Sequence, residues 1–148
     1  LSVSEMKQIL NKKSGLLGVS EIGSDMRDIW KAKETGNSRA DLSLRIFWHR
    51  LKKYIGAYAA VMNGLDILVF TAGIGENDYR TRQKVCEGMD YLGIEIDEEK
   101  SAAVQGEEAI ISSASSRAKV LVVPTNEELM IARDTYEIAK GKNQGTTR

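Results

Sequence analysis

The chain has one cysteine, one histidine and one proline among its 148 residues. With no second thiol, Cys86 cannot join an internal disulfide, and a reduced, cytoplasmic setting is the natural expectation. His49 stands mid-helix beside Trp48 with no sequence neighbour for a metal or acid–base set, so no Ser/His/Asp or Cys/His nucleophile arrangement can be assembled around it. Charge of neither sign is in excess: Lys plus Arg and Asp plus Glu are 21 each. No net field recruits polyanions or acidic lipid, and neither a nucleic-acid nor a membrane partner is expected. Apolar runs are short as well. The longest, at residues 66–70 and 120–123, are strand-sized, far from the roughly 18–20 residues that a membrane helix requires. The start Leu1-Ser2-Val3-Ser4-Glu5 has no Met, basic stretch or apolar signal core, and reads as a cut end.

What is present is the composition of a globular domain, 42% hydrophobic and 28% charged, with 13 Gly. One domain is expected over residues 1–140, with a frayed tail from 141 to 148. Ser4 reads as the cap of a short helix carrying Met6, Ile9 and Leu10, and residues 16–24 as a turn-laden loop. A second helix starts at Ser24 or Asp25 and ends before Thr35. The longest amphipathic pattern, residues 38–62, repeats Ile46/Phe47, Leu51, Ile55, Tyr58 and Met62 at three- and four-residue steps. Asn63-Gly64 stops it, and residues 65–70 read as a strand buried on both faces of a parallel sheet. A glycine-rich turn at 71–77 leads to a helix over 78–91, a short strand at 94–97 and a helix over 98–104. Further strands are expected at 109–112 and 119–123, before a final helix over 129–139. Two strand-turn-helix units with apolar strands indicate an α/β class of parallel strands with flanking helices. Their turns should face each other at the carboxyl edge of the sheet, where such folds bind ligands.

Three segments could carry chemistry. In Phe70-Thr71-Ala72-Gly73-Ile74-Gly75-Glu76-Asn77, glycines directly after a strand let backbone N–H groups approach a phosphate, and the following helix adds its positive end. The segment lacks the Lys-Ser/Thr ending of a Walker loop, Asp78 replaces the third glycine of a dinucleotide fingerprint, and a purely structural turn reads equally well. Pro124-Thr125-Asn126-Glu127-Glu128 offers two carboxylates of the kind Mg²⁺ takes, although helix capping accounts for every residue of it. Ser24-Asp25-Met26-Arg27-Asp28 is a capped helix start, or an Asp and an Arg offered to a ribose and a purine face. Trp30 and Trp48 lie on apolar helix stripes and read as core.

Taken in order and spacing, Leu17-Gly18-Val19-Ser20, residues 24–28, 70–77 and Val123 to Leu129 resemble the acetate kinase family. Arg82, Val85-Cys86-Glu87-Gly88, Leu92-Gly93-Ile94 and Ile131-Ala132-Arg133-Asp134-Thr135 look like the same family's intervening sequence. The likeness implies the C-terminal part of an actin-like, sugar-kinase-like ATPase domain with an incomplete sheet. Asp25, Met26 and Arg27 would lie beside adenine and ribose; Gly73, Ile74, Gly75, Glu76 and Asn77 would contact the phosphates and adenosine of ATP or ADP. Glu127 would be the Mg²⁺-associated carboxylate. The family transfers the γ-phosphoryl group of ATP to acetate, giving acetyl phosphate and ADP, reversibly. Its acetate-binding and transition-state arginines, catalytic Asp and His would lie upstream of Leu1, leaving no catalytic residue here and acetate or acetyl phosphate to be bound through that upstream segment. The resemblance further implies a homodimer, with the helix of residues 38–62 as a candidate surface. Propionate kinase, and a non-catalytic nucleotide-binding or dimerisation module, are the alternatives. Glu21 stands where relatives commonly have a small residue.

Overall fold

The computed structural model describes residues 1–141. The frayed tail expected from 141 onward lies outside them, except for Gly141. Helix α1 (Val3–Lys12) is capped by Ser2, two residues before the expected cap. The Ser2 hydroxyl accepts from the Glu5 N–H at 3.3 Å while the Glu5 carboxylate accepts from the Ser2 N–H at 2.6 Å, a reciprocal cap. None of its residues is buried.

The stretch expected as a loop contains a further helix, α2 (Gly15–Ser20), with Leu16 packed on the core and Ser20 buried. Its Gly and Ser content masked a helical turn set by tertiary packing against the long helix. It ends at Glu21 in the left-handed region, φ 59°, where Arg39 pairs with the carboxylate at 3.0 Å. Helix α3 (Met26–Glu34) is capped by Asp25, as expected, and gives way at Gly36, φ 88°. Asn37 then caps α4 (Ser38–Val61), its amide oxygen accepting from the N–H groups of Arg39 and Ala40, both at 3.0 Å.

Strand β1 (Ile67–Phe70) pairs parallel with β3 (Lys119–Val122), Phe70 opposite Val122. Between them in sequence lie α5 (Ala72–Asn77), α6 (Tyr79–Cys86), a 3-10 turn at Asp90–Leu92, α7 (Glu98–Ala103) and β2 (Ala109–Ile110). The sheet order is β1-β3-β2, and β2 runs antiparallel to β3, so the sheet is mixed where parallel strands were expected. The polar link of residues 113–117 is too short for a crossover and can only return the chain as a hairpin. Nor is β1 buried on both faces. It is an edge strand in the described residues, with Ile67 49% and Val69 47% exposed. The expected strand at 94–97 contributes one antiparallel bridge, Ile96 to Ser112. The glycine-rich turn is itself helical, and the helix expected over 78–91 stops at Cys86, because Glu87-Gly88 follows with Gly88 at φ 69°.

The core joins Ile29, Leu44, Val85, Ile94, Ile111, Val120 and Val122 across helices and sheet, all essentially inaccessible. Emptying one such position costs about 2–5 kcal/mol. Cys86 and Trp48 are buried and His49 is exposed, in agreement with the readings of these residues as core and surface. Burial pushes the Cys86 thiol up to about 12, so it is an inert small hydrophobe. The last helix, α8 (Glu127–Ala139), starts two residues earlier than expected, capped by Asn126, and like α1 buries nothing.

Candidate functional site: a cleft at the carboxyl edge of the sheet

The parallel register of β1 and β3 brings the segments after them together. The Val123 N–H donates to the Phe70 carbonyl at 2.9 Å, carrying the ladder one step past the strands. Beyond it the hydroxyls of Thr71 and Thr125 lie 2.8 Å apart, and the Ala72 N–H donates to Thr125 Oγ1 at 3.2 Å. Glu76 completes the latch, its Oε1 accepting from the Thr125 N–H at 2.8 Å. The two turns face each other, as the strand pattern requires.

A cavity of about 770 Å³ opens beside this latch, within the range of small-molecule sites. It unites Asp25, Met26 and Arg27 on one wall with Gly73, Ile74 and Asn77 on the other, and includes Trp30 and Arg80. A smaller depression of about 410 Å³ holds Gly73, Glu76, Thr125, Asn126, Glu127 and Glu128. Gly73 borders both. The nine residues singled out in the sequence therefore divide by position. Six share the larger cavity, Glu76 and Glu127 line the smaller, and Gly75 lies behind, buried against Phe70.

Each wall has its own support. Asp25 caps α3 through Oδ1 to the Arg27 N–H at 2.9 Å, and also binds the Arg27 guanidinium at 3.1 Å (Nε to Oδ1) and 2.6 Å (Nη2 to Oδ2). These bonds hold its carboxyl down at about 2. The Arg27 side chain is 90% exposed, its planar group standing at the cavity rim. Across the cleft the Asn77 amide donates to the Gly73 carbonyl at 3.0 Å, and Ala72 is held at φ 58°. The expected help from the positive end of the following helix meets an obstacle. Asp78 caps α6, Oδ1 accepting from the Thr81 N–H at 3.1 Å, which already places a carboxylate there.

Asp78 also ties the walls together. Its Oδ2 accepts from Trp30 Nε1 at 2.9 Å and from the Thr81 hydroxyl at 2.7 Å, and Trp48 Nε1 donates to the same hydroxyl at 3.1 Å. Trp30, read as core from its stripe, packs on the core but also lines the cavity, under the Arg80 guanidinium 4.8 Å away. Sequence reasoning missed Thr71, Thr125, Asp78 and Arg80. For the two threonines a signal existed, since each follows a strand of the parallel pair. For Asp78 only the helix-capping role toward Thr81 is a local signal; its tie to Trp30, 48 residues away, is not.

Mg²⁺ can be held by one or two carboxylates when substrate phosphates and water complete its shell. The exposed, adjacent Glu127 and Glu128 beside Gly73 fit that requirement, although the described residues contain no group of three acidic, His or Cys ligands. Together these features define an α/β unit whose cleft lies at the carboxyl edge of parallel strands.

A family model described as the acetokinase family matches residues 1–133. An acetate kinase of Heliobacterium modesticaldum is 56% identical over 141 residues, 95% of this chain and 35% of that protein. The crystal structure of Porphyromonas gingivalis acetate kinase superposes with a TM-score of 0.86 at 49% identity, covering 94% of this chain and 35% of that one. A propionate kinase from Francisella tularensis gives 0.80 at 41% identity, covering 90% and 34%. The chain belongs to the acetokinase family, and it spans about 35% of the length of the curated relatives it matches.

Proposed function

We propose that this chain is the nucleotide-binding part of an acetate kinase, which transfers the γ-phosphoryl group of ATP to acetate, giving acetyl phosphate and ADP, in a reversible reaction. The observation that carries the reading is the single cavity uniting residues 25–27 with Gly73, Ile74 and Asn77, in a chain 56% identical to an acetate kinase. In this reading the Arg27 guanidinium plane lies on the base, Asp25 and Met26 border the ribose side, and the backbone of residues 73–77 receives the phosphates. Phosphoryl transfer depends on position and charge neutralisation more than on covalent help. Glu127 would hold Mg²⁺, which neutralises charge on the phosphates when bound. No catalytic group is assigned to this chain; acetate and the groups that act on it belong to the rest of the kinase in this proposal.

Gly73 provides the test. A Cβ built there meets nothing within 4 Å, so Gly73→Ala keeps the fold and places a methyl group where the phosphates would lie. Titration calorimetry should show weakened Mg·ADP binding with an unchanged melting temperature. Equal ADP affinity in the two proteins would reject the loop assignment.

Propionate as the acyl substrate is the second reading, supported by the likeness to the Francisella propionate kinase. Kinetics of the intact protein on acetate and propionate separate the two. A non-catalytic nucleotide-binding or dimerisation module remains the third, distinguished by ADP binding or self-association without turnover. Self-association is part of the proposal. Leu42, Ile46, Tyr54, Tyr58 and Met62 are exposed along α4 and just past its end, and sedimentation with and without ADP tests it. The cytoplasmic setting is retained on the ground of the lone, reduced Cys86.

A further inference from the structure

Arg82 is the largest fully buried side chain of the described residues, at 0% exposure. A guanidinium cannot shed its charge, so a buried one needs strong partners. Those of Arg82 are unusual, because none is a carboxylate. Nη1 donates to the carbonyls of Gly75 and Glu76, each at 2.8 Å. Nη2 donates to the carbonyls of Ser101 and Val104, the latter at 2.9 Å, and Nε to the Ser101 hydroxyl at 3.2 Å. The charge of Asp78 reaches Arg82, but the Asp78 carboxylate is bonded to Trp30 and Thr81.

The four carbonyls belong to two segments. Gly75 and Glu76 lie in the last turn of α5, and Ser101 and Val104 at the end of α7, so one cation closes two helix ends whose carbonyls lack intrahelical donors. The rigid fork of the guanidinium fixes their relative position in a way that a flexible ammonium would not. The Gly106 N–H adds a weaker strand of the same tie, donating to the Glu76 carbonyl at 3.4 Å.

We propose that Arg82 is a positioning residue for the phosphate-binding loop, acting through the Gly75 and Glu76 carbonyls and touching no ligand itself. The inference rests on the nucleotide reading above. From behind the loop, Arg82 sets where the Gly73 to Asn77 backbone stands relative to β1. Its guanidinium makes no bond to α3, which carries the base wall. Its loss should therefore be felt by ligands with phosphates and ignored by ligands without them.

The test compares ADP with adenosine on the full 148-residue chain, alongside melting temperatures. In Arg82→Met, ADP affinity should fall roughly tenfold or more while adenosine affinity stays within about twofold. Arg82→Lys keeps the charge but not the fork, and should fall between the two. A core cavity elsewhere, Ile111→Ala, should lower the melting temperature without changing the ratio of the two affinities. If the arginine variants do not fold, Ser101→Ala decides; it removes only the Nε acceptor and should give a smaller loss confined to ADP. Equal ADP affinity in the folded variants, or a parallel loss of ADP and adenosine, overturns the positioning role. Failure of the unmodified chain to bind ADP would instead sink the nucleotide reading, and the inference with it.

Discussion

The two walls of the cleft are built on opposite principles. The wall of residues 73–77 is fixed from outside itself: by Phe70 against Gly75, by Thr125 on Glu76, and by the buried Arg82 on two of its carbonyls. Asp25 and Arg27 rely on each other, through an ion pair on an exposed surface, with Met26 between them buried in the core. Two bonds, Trp30 to Asp78 and Arg80 to Glu34, link α3 to the start of α6 just past the first wall. The difference suits what each wall would meet. Phosphate oxygens are recognised by backbone groups that must be held in place, whereas an aromatic base accepts a stacked guanidinium over a range of offsets. A change at a held point of the first wall should alter shape and stability together; a change in the second should alter affinity alone.

The strongest break in this contrast is Gly75→Ala. Its Cβ would stand 3.1 Å from the Phe70 carbonyl carbon and 3.4 Å from Phe70 Cα, and backbone cannot swing aside as a side-chain end can. Overpacking of this kind costs about 1–3 kcal/mol, and the displaced loop should lose roughly tenfold or more in ADP affinity. Gly73→Ala, two residues away, should lose affinity with no change in melting temperature. Melting curves of the two variants that coincide would show that the wall is not fixed from behind.

On the other wall, Arg27→Ala should leave the melting temperature unchanged, since exposed pairs contribute about 0–1 kcal/mol, and weaken adenosine and ADP alike by several-fold, about 0.5–1 kcal/mol of stacking. Arg27→Lys should not restore it. Asp25 offers a second readout. Its folded pKa of about 2 lies below the ordinary 3.8, so the pairing is fully present above that ordinary value and is lost as pH falls through about 2. Carboxyl shifts followed by NMR should give that midpoint, and in Arg27→Ala the midpoint should return toward 3.8. A midpoint unmoved by the substitution would mean that something other than Arg27 holds the carboxylate.

The contrast also explains what could be read in the sequence. The caps at Asp25 and Asn126, the length of α4 and the strand-then-glycine order at Phe70 to Gly73 are local signals, and each stands within two or three residues of its expected place. The self-supporting wall was therefore legible. The other wall depends on partners far along the chain. Arg82 reaches Ser101 and Val104, Glu76 reaches Thr125 and Asp78 reaches Trp30, and no periodicity announces such bonds. Chain direction was hidden in the same way. The apolar stretch at 109–112 is equally compatible with a parallel or an antiparallel neighbour, and only the short return to β3 decides for the latter.

The smallest expected effect lies just ahead of the exposed wall, at Glu21. A non-glycine residue at φ 59° bears a left-handed conformation that costs about 1 kcal/mol, against which stands an ion pair to Arg39 with both side chains more than half exposed. Arg39 keeps a second hold on this turn without that pair, its Nε donating to the Val19 carbonyl at 3.0 Å. Glu21→Gly should therefore stabilise the chain by about 0.5 kcal/mol, a rise of about 1–2 °C in melting temperature, and leave ADP affinity as it was. A fall in melting temperature would show that the Arg39 pair outweighs the backbone cost. A change in affinity would be more telling, because it would mean that the turn over residues 20–24 places Asp25 and Arg27, and that the base wall, too, is held from outside itself.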